Sequence, residues 1–384
     1  MSSVQTKQVD FGNRSGLKCF PVSMGAMRLP EEDEKAISLI RQAIDAGMIY
    51  IDTSRGYGDS ELKLAKSLKD GYRQKVILST KWSPWNLKVE PTDDTSADCM
   101  YRRIIESMER LDVEELDFYQ ICAISSPEHY KEAVRKGGML DGIRRAMDEG
   151  LVKHTGFTTH DKPENISRYI DEVDWCETIL FTYNILNKAY QEVLAKAHKK
   201  GIAAVVMNPV SGGMLNEKSP VLLKAIKQAT GCDDPIEAAH RYLKADTNID
   251  TILCGISKPE DVTSTIANFQ KPPLSAEQTG AIEKAIKKLS KESVGFCTEC
   301  KYCMPCPQGI NIPMIMHAIY LNNFLRVPLA AKGCYDWFVH KAQSNRSAAP
   351  SECTECGQCE EKCTQKLKIT EQMKLAHELF DQSD

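Results

Sequence analysis

The sequence predicts a closed (β/α)8 barrel, the TIM-barrel arrangement, followed by a small, cysteine-rich helical domain. Three observations carry that expectation. From Leu17 to about Ala281, short apolar runs alternate with amphipathic helical patterns, the signature of βα units on a parallel sheet. Eight such runs occur, and no Gly-rich phosphate fingerprint follows the first, which favours a closed barrel over an open sheet. Eight of the 15 cysteines then fall in two tight groups, 297–306 and 353–363. With 384 residues, the chain has room for a barrel over 1–290 and an appendage over 291–384.

Taken in order, strands are expected at 17–22, 48–52, 76–80, 116–122, 152–157, 178–182, 203–207 and 251–254. Helices between them include 32–46, 96–110 (apolar at Met100, Ile104 and Met108) and 191–200, closed by Gly201. Pro163, Pro235 and Pro259 each sit where a first helical turn tolerates proline. Residues 274–289 read as one more helix, whose lysines run on to Lys291 as a solvated face. Beyond it, 312–325 reads as a helix and 343–351 as a polar, mobile loop.

A net charge of −4 gives no general attraction to nucleic acid or anionic lipid. The first ten residues lack the apolar core of a signal peptide, and no apolar run approaches the length of a membrane span. A soluble cytoplasmic protein is expected, with no nucleic-acid or membrane partner.

Chemistry is concentrated first at 51–61, Ile-Asp-Thr-Ser-Arg-Gly-Tyr-Gly-Asp-Ser-Glu. An apolar run delivers Asp52 to a strand end, and a Gly-rich turn presents Tyr57 before a new helix. In a parallel barrel, that end of the strands is where catalytic groups sit. A free phenol, with a pKa of about 10, becomes a useful acid when a cation lowers that value. Lys81, just past the next apolar run, is placed to do so, with Asp52 holding its ammonium. The three together make a proton donor for a carbonyl oxygen.

The cysteine groups read Cys297-x2-Cys300-x2-Cys303-x2-Cys306-Pro307 and Cys353-x2-Cys356-x2-Cys359-x3-Cys363-Thr364. Three cysteines at two-residue gaps wrap one corner of an iron–sulfur cube, and a distal fourth crosses to the other. Cys297, Cys300, Cys303 and Cys363 are thus expected to hold one [4Fe–4S] cluster, and Cys353, Cys356, Cys359 and Cys306 a second. Structural zinc is the competing reading, but it does not call for three even gaps plus a distal ligand. The other cysteines stand singly, which suits a reducing compartment.

The 51–61 run followed by Lys81 resembles the aldo/keto reductase superfamily, whose barrels carry Asp-Thr-x4-Tyr-Gly-x-Ser-Glu and a lysine after the next strand. The tail, with Cys-Lys-Tyr-Cys-Met-Pro-Cys-Pro at 300–307, looks like the ferredoxin-like extension of one bacterial subgroup of that superfamily. The resemblance implies that Asp52, Tyr57 and Lys81 are three members of a catalytic tetrad, with Tyr57 as the general acid. The fourth member is a histidine in an Asp-x-Tyr-x-x-His run. Here the run is Asp117-Phe-Tyr-Gln-Ile-Cys122.

A thiol donates a weaker hydrogen bond than an imidazole. Cys122 therefore shapes a pocket for an unusual substrate, acts as a thiolate if Lys81 lowers its pKa, or is a buried small residue. His129, seven residues on, reads as a solvated or helix-capping group.

By the same resemblance, nicotinamide contacts fall on Thr158, Asn184 and Met207, with Leu180 where many members place glutamine. Ser211, Gly212 and Gly213 make a pyrophosphate cradle, because glycines let backbone approach closely. Gly255, Ser257 and Lys258 offer donors and a cation to a phosphate at a helix start opened by Pro259. Ser264 and Thr265 stand where the family holds adenine with Glu-Asn.

The expected protein is an iron–sulfur oxidoreductase that reduces a carbonyl-type small molecule, of an aromatic or otherwise unsaturated kind, with Tyr57 as proton donor. Trp82 and Trp85 near the barrel mouth suggest an aromatic or apolar ligand. Electrons come from NADP(H) or NAD(H), or through two [4Fe–4S] clusters from a ferredoxin or flavoprotein partner. Hydride moves two electrons together whereas each cluster passes one, so the two routes differ in kind. The alternative is a barrel with reduced catalysis that serves as an electron-transfer or binding protein.

Overall fold

The computed structural model describes residues 8–292, 297, 303–342, 346–363 and 367–381; Cys300 lies outside them. The chain forms two compact units, one of Met1–Pro209 with Ala239–Leu274, the other of Val210–Ala238 with Ser275–Asp384.

In the first unit, an antiparallel pair, β1 (Val9–Asp10) and β2 (Lys18–Cys19), precedes eight parallel strands. These are β3 (Val22–Gly25), β4 (Tyr50–Asp52), β5 (Ile77–Trp82), β6 (Leu116–Ile124), β7 (Val152–Thr159), β8 (Thr178–Thr182), β9 (Ala203–Met207) and β10 (Thr251–Gly255). They close in sequence order, with β10 pairing both β9 and β3.

The strand expected at 17–22 divides in two. Pro21 has no N–H to give a ladder and only accepts, from Ile252 N at 3.0 Å. Lys18 and Cys19 therefore pair backward with β1, and the barrel strand begins at Val22. The hairpin is a plug. Phe11 packs its ring 5.1 Å from Tyr50 and 5.6 Å from Phe118, in a buried cluster with Cys19, Ile77, Ala203 and Val205. Tyr50, Ile77 and Ala203 are strand-starting residues, so this cluster seals the N-terminal end and leaves chemistry to the other.

The helices obey their local signals. Ser96 caps Ala97–Leu111 by accepting from Cys99 N, and Asp112 ends it in the left-handed region. Pro163, Pro235 and Pro259 each open a helix. Among the described residues, no helix is long and apolar enough to cross a membrane.

The second unit is helical. Ala276–Glu292 starts with a reciprocal Ser275–Gln278 capping pair. Ile312–Asn323, Pro328–Asp336 and Ile369–Phe380 bury Ile315, Ile319, Ala331, Met373 and Phe380. Tyr335 stacks on Phe380 at 4.8 Å and donates to Asp381. The loop expected to be mobile is pinned over its described part. Buried Ser347 donates its N–H to Phe338 O and accepts from Asn311 N through its hydroxyl, and Ala348 N reaches Gly309 O.

Replacing Phe11 by alanine removes the centre of the plug. A loss of about 3–5 kcal/mol is expected, read as a lower denaturant midpoint for the barrel transition.

Candidate active site

At the open end of the barrel, β4 ends in Asp52 and β5 carries Lys81, both almost fully buried. The Lys81 ammonium donates to Asp52 Oδ1 and to the Thr53 carbonyl, the latter at 2.8 Å. It lies 5.1 Å from the centroid of the Tyr57 ring. Burial works against this ammonium, yet Asp52, Tyr57 and Cys122 together raise its pKa, so it stays charged.

The turn bearing Tyr57 is tied to β5 by backbone and side chain. The Lys81 carbonyl accepts from Ser54 Oγ at 3.0 Å and Arg55 N at 3.1 Å, and Tyr57 N reaches Ser54 O. Glu61, buried in the next helix turn, accepts from Thr80 Oγ1 and Arg110 Nε, both at 2.8 Å. Arg110 then donates to Gly58 O at 2.7 Å, which clamps the turn from outside. A Cβ on Gly56 would stand 2.9 Å from Asn86 Nδ2, so the 82–87 loop packs directly on the turn.

The phenol behaves differently from expectation. Burial pushes the Tyr57 pKa up to about 12; Lys81 counters this, while Asp52 and Cys122 add to it. The lysine does lower the value, but desolvation outweighs it. Tyr57 is consequently protonated across the neutral range, the form a proton donor requires.

Cys122 lies in β6 where the register shifts between Ile121 and Ile124 and Ala123 takes φ 54°. Such bulges re-aim side chains beside active sites. Its sulfur is buried, 4.0 Å from Thr158 Oγ1, and its carbonyl accepts from Trp85 Nε1 at 2.7 Å. Burial raises the thiol pKa despite Lys81. That keeps it neutral, against the thiolate reading. Trp85 also stacks on His129 at 4.4 Å, and His129 Nδ1 meets Ser125 Oγ at 3.1 Å. Trp82, in contrast, is plain core, its Nε1 bound to Leu87 O.

The positions expected to hold a nicotinamide dinucleotide are bonded within the chain. The Thr158 hydroxyl accepts from Ala123 N at 2.7 Å. Asn184 donates to Asn208 O and accepts from Leu186 and Asn187 N–H groups. Met207 packs against the core cluster that holds Leu180. Ser257 and the Lys258 amide turn to Asp261, three residues past Lys258. Gly255 is exposed at the end of β10. Ser211, Gly212 and Gly213, in the second unit, run through three consecutive positive φ values. So arranged, Thr158, Asn184 and Ser257 make their hydrogen bonds within the chain.

The sequence assigns no role to Glu61, which closes the 51–61 run, nor to Arg110 or Asp261. Asp261 had a readable signal, the capping-box spacing at a helix that opens with proline.

In the second unit, Cys306, Cys353, Cys356 and Cys359 line one cavity, together with Cys303, Pro305, Pro307, Ile310, Ile369 and Met373. Cys306, Cys353, Cys356 and Cys359 are the four expected to hold one [4Fe–4S] cluster in crossed fashion, but among the described residues no three His, Cys, Asp or Glu side chains converge closely enough to hold a metal ion. Cys363 is buried, its sulfur 3.5 Å from Leu367 N, and Cys297 is half-buried. No disulfide joins the described cysteines. Soft thiols in an apolar, proline-walled cavity fit an iron–sulfur group.

The model of the Aldo/keto reductase family matches residues 21–287, and that of a 4Fe-4S dicluster domain matches 296–368. "Uncharacterized oxidoreductase YqkF" of Bacillus subtilis (strain 168) is 23% identical over 300 residues, 71% of this chain and 95% of that protein. "L-galactose dehydrogenase" of Arabidopsis thaliana is 27% identical over 280 residues, 66% of this chain and 85% of that protein. Among solved structures, the "aldo-keto reductase AKR11C1 from Bacillus halodurans (holo form)" superposes with a TM-score of 0.62 at 22% identity, covering 73% of this chain and 96% of that one. That likeness is one of fold.

Two measurements check this geometry. The Tyr57 ring carbon followed by NMR is expected to titrate near pH 12, and Lys81→Met to move it higher, since the lost ammonium favoured the phenolate. Cys356→Ser, which removes one sulfur from the cavity set, is expected to lower iron per chain by about half.

Proposed function

Because the chain belongs to the aldo/keto reductase family and carries a 4Fe-4S dicluster domain, we propose that it reduces a carbonyl-type small molecule, with Tyr57 as proton donor. One observation carries this reading. The buried Lys81 ammonium, fixed by Asp52 and the Thr53 carbonyl, sits 5.1 Å from the Tyr57 ring.

Reduction of a carbonyl to an alcohol consumes two electrons and two protons. Tyr57 gives its hydroxyl proton to the substrate oxygen as charge develops there; the other proton reaches carbon from solvent. The resulting phenolate is stabilised by Lys81, whose charge Asp52 holds in place. Water then restores the phenol. Cys122 presents a neutral thiol where the family places an imidazole, and Trp85 with His129 adds a flat aromatic surface beside it.

Iron–sulfur clusters, held by Cys297, Cys300, Cys303 and Cys363 and by Cys353, Cys356, Cys359 and Cys306, supply electrons singly when bound. A ferredoxin-like or flavoprotein partner in a reducing cytoplasm suits that supply. Aromatic or conjugated carbonyls suit it as well, because they spread an unpaired electron between the two arrivals. With Thr158 and Asn184 bonded inside the barrel, no hydride step is assigned to a nicotinamide.

A second reading follows from Cys122. Its buried, neutral thiol replaces a strong hydrogen-bond donor, which favours an electron-transfer or binding protein with a silent barrel. Tyr57→Phe separates the two. Turnover is expected to fall about 10²–10⁴-fold with substrate affinity retained; unchanged turnover would favour the silent barrel. In anaerobic protein with clusters loaded, reduced ferredoxin is expected to bleach the visible absorbance, whereas NADH and NADPH leave it. Bleaching by a nicotinamide would overturn the one-electron route.

A further inference from the structure

After β10 the chain turns through Gly255, Ile256, Ser257 and Lys258 into the helix Pro259–Gln270. The turn has the makings of a phosphate site: a serine hydroxyl, backbone amides and the positive end of a twelve-residue helix. The structure gives those donors to the chain itself. Asp261 Oδ2 accepts from Ser257 N at 2.9 Å, from Ser257 Oγ at 2.9 Å and from Lys258 N at 3.1 Å. One carboxylate oxygen thus receives the fan of donors that a phosphate oxygen would need.

Charge acts in the same direction. The cation Lys258 is followed by two acids, Glu260 and Asp261, in the first helical turn. An incoming phosphate would meet a net negative charge and would have to displace charge-assisted hydrogen bonds already formed. The other polar positions expected to grip a nicotinamide dinucleotide, Thr158 and Asn184, are independently bonded within the barrel.

Every nicotinamide dinucleotide has a pyrophosphate; only the NADP form has a third phosphate, on the ribose. We propose that Asp261 determines specificity by filling that phosphate position, and so shuts the 2′-phosphate of NADP(H) out of the barrel. The protein gains no affinity from the phosphorylated cofactor. This rests on the aldo/keto reductase reading of the barrel and goes beyond it, since it concerns which nucleotide the fold rejects.

The test is calorimetric titration of the full-length, cluster-loaded protein without oxygen, using NADPH, NADH and adenosine 2′,5′-bisphosphate. Wild type, Asp261→Asn and Asp261→Ala are compared. Wild type is expected to bind NADPH no more tightly than NADH and to bind the bisphosphate weakly or not at all. Both variants are expected to gain about tenfold or more for the two ligands that carry the 2′-phosphate, and nothing for NADH. Asparagine keeps one oxygen for the turn amides, so the helix start survives; thermal melting verifies it. A wild-type preference for NADPH overturns the proposal, as does a failure of both variants to gain the phosphorylated ligands. Neither result touches the loss of turnover in Tyr57→Phe, so this proposal and the proton-donor reading fail separately.

Discussion

The pairing of Lys81 with Asp52 is the constraint on which the site depends. Two charges withdrawn from water at the mouth of a barrel cost several kcal/mol each unless geometry repays them. Here the carboxylate takes the ammonium, the Thr53 carbonyl accepts a hydrogen bond from a second ammonium N–H, and the Lys81 carbonyl anchors the turn that carries Tyr57. A substitution of Asp52 alone would strand a buried cation and loosen both strand ends at once. The same cation sets the tone for its neighbours. It draws the phenol of Tyr57 and the thiol of Cys122 toward ionisation, while burial draws both away and wins. The outcome is a pocket of neutral donors around one fixed positive charge, which suits proton delivery better than nucleophilic attack.

Much of this was legible in the chain, and the failures have physical causes. Strands β8 and β9 coincide with their apolar runs because nothing interrupts the alternation. An apolar run carries no mark of pairing direction, so 17–22 reads as one strand although Pro21 splits it between a hairpin and the barrel. Asp52, Tyr57 and Lys81 are readable as neighbours because strand ends are visible in sequence, and Lys81 does lie against the other two. The bulge that sets Cys122 was not, since a register shift depends on the neighbouring strand. The direction of the Tyr57 shift was missed for a related reason: a nearby lysine can be read from letters, but the depth of burial cannot.

The second unit shows the converse. Its helices have modest patterning, yet the cysteine spacing groups Cys306, Cys353, Cys356 and Cys359, which line one cavity. Spacing is informative there because coordination imposes geometry on the backbone directly. The loop containing Ser347 looked unstructured by composition, and polar residues in it instead satisfy backbone groups at 309–311 and 338. A polar segment is not a free one when buried amides need partners.

The plug at the closed end has a consequence for how the protein is made. Gly12 donates to Asp250, and β3 reaches its last neighbour only when β10 arrives. A ribosome delivers these partners more than two hundred residues apart. Through most of synthesis the emerging sheet therefore has two unpaired edges, β3 and the newest strand, each able to bind a stranger. Closure is a late event that joins the first and last parts of the barrel in one step. The N-terminal hairpin, translated before every barrel strand, is among the last elements to find its native surroundings.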